Sequence, residues 1–227
     1  MDHSSTLRLR DMPRWSGDQW LTGAWRFVML IAGLFIFATG LTLGLQCNLG
    51  ANSWTVFSDG IAHHSMLTIG QASQITGLVM IAIGWFVGVR PGLGTVLNML
   101  LVGWFLDLEL QHGWIPQAES YPARLAMMLA TVAVLGFATG LYIKAGFGAG
   151  PRDSFMLAVT RLTGWPVGLN RWLIESGAVL AGALLGGAFG VGTILMALMI
   201  GPAVGVGFRL FGLPTRKRGE RRKEPIG

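Results

Sequence analysis

The chain has 227 residues, 52% of them hydrophobic and only 12% charged, with a mean hydropathy of +0.56. So few charges cannot clothe a soluble globule of this size, so composition excludes an ordinary soluble fold and points to a polytopic membrane protein in a lipid bilayer. The net charge of +6 does not mark a nucleic-acid binder, because Arg216, Lys217, Arg218, Arg221, Arg222 and Lys223 cluster directly after an apolar run, where a basic cytoplasmic tail is expected.

Residues 1–20 are polar and read as a cytoplasmic N-terminal segment. No small-residue cleavage site follows a short apolar core, so the first span is expected to be an uncleaved start. Apolar runs then cover about 25–45, 69–87, 93–108, 125–143, 167–185 and 191–211, each close to the roughly 20 residues that a helix needs to cross the hydrocarbon. After the first run comes GLQCNLGANSWTVFSDG, from Gly44, and after the fourth comes KAGFGAGPRDSFMLAVT, from Lys144. Both are too polar and too rich in small residues to face lipid. Six crossings that begin inside place every Lys and Arg but Arg124 on the inner side, with Glu109 and Glu119 in an acidic outer loop over 109–123. Counting the two short segments as full crossings puts Arg90 outside and the acidic loop inside. The six-span scheme, with both termini cytoplasmic, is the better one.

The chain repeats itself. ATGLTLGLQCNLGANS from Ala38 aligns without a gap on ATGLYIKAGFGAGPRD from Ala138 at an offset of 100. TIG from Thr68 then meets PVG from Pro166, and GLGTVLNMLLVG from Gly92 meets GVGTILMALMIG from Gly190, both at an offset of 98. Residues 21–110 form one membrane repeat and 121–212 a second, followed by the basic tail 213–227. Three crossings per unit is an odd number, so the second unit enters the membrane from the opposite face. The expected fold is all-α: six transmembrane helices as two inverted-topology repeats, each with a short broken or re-entrant helix after its first span. In secondary transporters that pattern places the ligand near the midplane, between the repeats.

Candidate substrate-binding residues follow from the breaks and from the intramembrane charges. Asn52 and Ser53, and in the second copy Arg152, Asp153 and Ser154, sit at helix starts, with Pro151 suited to a first helical turn. They are either simple caps at loop ends or the rim of a wet cavity, because unsatisfied backbone in lipid costs several kcal/mol per group. Glu175 lies midway along the fifth run with Arg171 one turn away. An acid at that depth faces a bundle interior or a pathway, unless the two form a packing pair. Asp59 ends the first short segment, flanked by Trp54 and Phe57, and these could equally be a solvated acid and an interfacial aromatic anchor. Asn98 in the third run could line a polar path or bond between helices. The GxxxG spacings at Gly40/Gly44, Gly84/Gly88, Gly136/Gly140, Gly182/Gly186 and Gly201/Gly205 are expected to report close packing.

No catalytic constellation emerges. The histidines are His3, His63, His64 and His112, none in a late span, and neighbouring His63 and His64 point apart on a helix. The single Cys47 gives no disulfide and no multi-cysteine metal site. No cofactor, metal or enzymatic activity is expected.

The motifs NLGANSWTVFSDG, TIGQAS, RPGLGTVLNMLLVGWFLDL, GFGAGPRDSFMLAV and GVGTILMALMIGP, spread over residues 30–211, resemble the YczE-like group of bacterial integral membrane proteins, allied to the YyaS and YitT proteins. Members often carry a proline before the Ser/Trp pair, where this chain has Asn52. The resemblance implies a bacterial inner-membrane protein. From the residues, the leading expectation is a small secondary transporter or permease for an anionic or zwitterionic solute. The alternatives are a non-transporting sensor or partner protein and a small-solute channel. At 24.4 kDa a homodimer is plausible.

Overall fold

A computed structural model of the chain describes residues 19–213. The expectations for the N-terminal segment and the basic tail fall almost wholly outside the described residues. The described chain folds into α1 (Gln19–Gln46), α2 (Ser53–His63), α3 (Ile69–Phe86), α4 (Leu93–His112), α5 (Tyr121–Lys144), α6 (Pro151–Thr163), α7 (Val167–Leu184) and α8 (Val191–Leu210). This is an all-α polytopic membrane protein. Five helices, α1, α3, α4, α5 and α8, are long and apolar enough to cross a membrane. The fifth apolar run forms α7, which is not among them, because Asn170, Arg171 and Glu175 lower the hydropathy of its 18 residues.

Helices α1 and α5 make the most extensive helix–helix contact of the fold. Leu30, Leu34, Ala38 and Leu41 recur at helical spacing, are at most 2% exposed, and pack with Leu135 and Tyr142 of α5 and Val102 and Leu106 of α4. Glycine sets the approach of α1 to α5: a methyl group at Gly40 would lie 2.7 Å from Leu135 Cδ2, inside van der Waals contact. Gly136 of α5 faces Ala203 of α8 in the same way. Between helices in lipid, such close dispersion contact replaces the hydrophobic effect. Several expected GxxxG contacts are absent. Gly88 and Gly186 instead take positive φ at helix ends, and Gly201 and Gly205 lie on a side of α8 where an added methyl meets nothing within 4 Å.

The acidic outer loop also needs correction. Helix α4 continues to His112 and ends on a left-handed Gly113, so Glu109 is helical and only 1% exposed. Its carboxylate accepts hydrogen bonds from Thr39 Oγ1 at 2.7 Å and Thr42 Oγ1 at 2.5 Å, both on α1. These two hydroxyls replace the water that the carboxylate would otherwise require. Two residues earlier, on another side of the helix, Asp107 accepts from Thr68 Oγ1 and Gly70 N and holds the start of α3.

The two breaks are clasped reciprocally. Gly192 N donates to Leu49 O at 2.7 Å, and Gly94 N donates to Phe147 O at 2.8 Å. Each break is thus held by the glycine-rich helix start of the other half. Positive φ values at Asn48 and Gly50 are matched by Gly146 and Gly148, and the N-caps Asn52 and Gly150 correspond. Through the breaks the two halves therefore correspond at the same offset of 98 as the later motifs. The offset of 100 read from sequence was drawn by the shared ATGL in the spans, whereas the backbone turns fix the register. Trp54, not Asn52, is the counterpart of Arg152.

Candidate functional site

Helices α2 and α6 start among buried residues, Ala51 and Ser53 in one half and Gly150 and Pro151 in the other. Asn52 Oδ1 accepts from Thr55 N at 3.2 Å and caps α2, so the amide NH2 is the part of Asn52 available to a solute. Pro151 opens α6, where its missing N–H costs nothing. From these two starts Asn52, Ser53, Trp54, Arg152 and Asp153 reach the wall of a cavity of about 350 Å³. Helix α7 adds Arg171, Ile174 and Glu175, and α5 and α8 complete a mainly apolar wall that includes Leu135, Met196 and Phe208.

Four charged side chains meet there. Arg171 Nε donates to Glu175 Oε1 at 3.0 Å, with Arg171 half exposed and Glu175 less so. The Arg152 guanidinium carbon lies 5.8 Å from the centre of the Trp54 ring, where the ring face attracts a cation. Phe37 and Tyr142 meet edge to face, their ring centres 6.0 Å apart. Two cations, two carboxylates and an apolar wall give a nearly neutral site suited to a small solute that carries an anionic group or both signs of charge.

Seven of the ten expected residues, Asn52, Ser53, Trp54, Arg152, Asp153, Arg171 and Glu175, line this cavity. Asn98 lines a smaller cavity of about 60 Å³, together with Trp54 and Arg152. Asp59 lines neither: it is 8% exposed and accepts from Ala188 N at 2.7 Å, so it ties α2 to the turn before α8. Ser154 is buried and bonds back to Gly150 O. Of the two readings of Trp54, the structure places it in the walls of both cavities. Sequence reasoning missed Tyr142, which lines both cavities. The available signal was that, of the chain's two tyrosines, Tyr142 is the one placed within an apolar run. Among the described residues no cluster of three or more His, Cys, Asp or Glu could hold a metal ion.

An all-α membrane protein with an interior charged cavity is thus the class that the fold and site define. Residues 24–209 match a profile described as "Family of unknown function (DUF6198)". The chain is 35% identical over 178 residues to the "Uncharacterized membrane protein YczE" of Bacillus subtilis, covering 78% of this chain and 82% of that protein. It is 32% identical over 200 residues to an "Uncharacterized protein" of Haemophilus influenzae, covering 87% and 91% respectively. No solved structure matches the chain significantly. The chain belongs to the DUF6198 family of YczE-like membrane proteins.

Proposed function

We propose that this protein is a small secondary transporter or permease of the bacterial inner membrane that moves an anionic or zwitterionic solute unchanged. The observation that carries the reading is the convergence of Arg152, Asp153, Arg171 and Glu175 on one cavity with an otherwise apolar wall. A charge placed at membrane depth is costly unless it lines a pathway or has a partner, and four on one cavity favour a pathway. In this reading α7 is a sixth crossing, tolerated in the membrane because Arg171 and Glu175 face the cavity and each other. The reciprocal clasp of the two breaks supports two related halves, which the distribution of Lys and Arg would orient as inverted repeats with both termini cytoplasmic, and alternating access would tilt one repeat against the other.

The test is ligand-dependent stabilisation of the purified protein. A panel of amino acids, carboxylates and phosphate esters is screened by thermal unfolding in detergent, since a ligand bound only by the folded state raises the midpoint. A hit is expected among solutes with an anionic group, and Arg152→Gln should abolish its shift. A stabilising solute whose shift survives Arg152→Gln would contradict this assignment of the site.

A further inference from the structure

The small cavity is the counterpart of the large one. Fourteen residues line it, and all but Met80 and Tyr142 correspond, at the offset of 98, to residues that line the large cavity. Ser73 matches Arg171, Gly77 matches Glu175 and Asn98 matches Met196. The two differ in volume, about 350 Å³ against about 60 Å³. They also differ in charge, since the small cavity has Ser73 and Gly77 in the places of Arg171 and Glu175. Trp54 and Arg152 hold equivalent places in the two halves, stack on each other, and line both cavities. They form a partition on the line that relates the halves.

We propose that the small cavity is a second, contracted station for the same solute, reached from the opposite face of the membrane. The solute's anionic group stays with Arg152, which both cavities share, while its other end leaves the charged wall of Arg171 and Glu175 for the neutral wall of Asn98, Ser73 and Thr76. When the small cavity widens, the large one contracts, because equivalent helices exchange the two arrangements around the Trp54–Arg152 stack. The nature of what moves rests on the transport reading above, but the pairing of the cavities rests on their matched linings alone.

The experiment uses the full chain with Cys47, its single buried cysteine, replaced by alanine. Ala197→Cys reports on the large cavity and Met99→Cys, its equivalent, on the small one; Ser73→Cys is a second reporter should Met99→Cys not fold. A membrane-impermeant maleimide is applied to right-side-out and to inside-out vesicles. Ala197→Cys is expected to label from one face. Met99→Cys or Ser73→Cys should label from the other, about tenfold or more slowly, as a minor conformation requires. Adding Trp54→Ala should accelerate the slow reaction. Labelling of both cavities from the same face, or no labelling of either small-cavity reporter with or without Trp54→Ala, would overturn the proposal. Opposite-face labelling in a protein that moves no solute keeps the paired cavities and removes the transport reading; flux with same-face labelling does the reverse.

Discussion

Glu109 and Glu175 are both acids within the helical bundle, and they are built for different work. Glu109 is sealed against α1 by two threonine hydroxyls, whereas Glu175 faces a cavity with a half-exposed arginine as its partner. Thr42→Val leaves a buried carboxylate oxygen without its donor and should cost about 1–3 kcal/mol, read as a lowered unfolding midpoint in detergent. Glu175→Gln breaks a partly exposed pair of the kind worth about 0.3–0.5 kcal/mol. It should therefore barely move that midpoint, yet abolish stabilisation by the solute. The reverse order of the two melting effects would mean that the roles are misassigned. Glu175 was legible in the sequence because a charge midway along an apolar run has few uses. Glu109 was not, because its partners Thr39 and Thr42 lie far away in the chain and look like ordinary span residues.

At the scale of elements, the two breaks decide where α2 and α6 begin, and their left-handed turns should be intolerant of side chains. Gly50 has φ +114, and a methyl there would lie 2.6 Å from Gly190 N, within the clasp. Gly148 has φ +120 with its nearest neighbour at 3.3 Å, and Gly88 has φ +85 in open space. Gly88→Ala should cost only the left-handed penalty of about 1–2 kcal/mol. Gly148→Ala should cost more, and Gly50→Ala most, because backbone atoms must also shift. Melting midpoints that rank Gly50→Ala as the mildest would contradict the clasp. The helices themselves were readable from hydropathy, with most ends within a few residues. The register of the breaks was not, since identity in the spans favoured an offset of 100 while the positive-φ positions, invisible to composition, set it at 98. The extension of α4 was missed because a charged residue near a run's end reads as loop until its hydroxyl partners are known.

At the scale of the whole molecule, motifs matched at an offset of 98 line two cavities of unequal size. The repeat and its polarity could be argued from alignment and charge. The difference in cavity size could not, because it depends on how helices far apart in the chain pack around each cavity. The proposed inverted repeats would place the loop between α4 and α5 outside, so a reporter fused after Ser120 should be external; an internal reporter would overturn the inversion. The central claim, that the charged cavity serves transport, is tested most directly by flux. Purified protein is reconstituted into vesicles, and uptake of the solute that stabilises it is followed under an imposed proton gradient. Saturable accumulation is expected, above that of empty vesicles and absent with Arg152→Gln; no uptake above empty vesicles by protein that still binds the solute would contradict transport and leave a sensor.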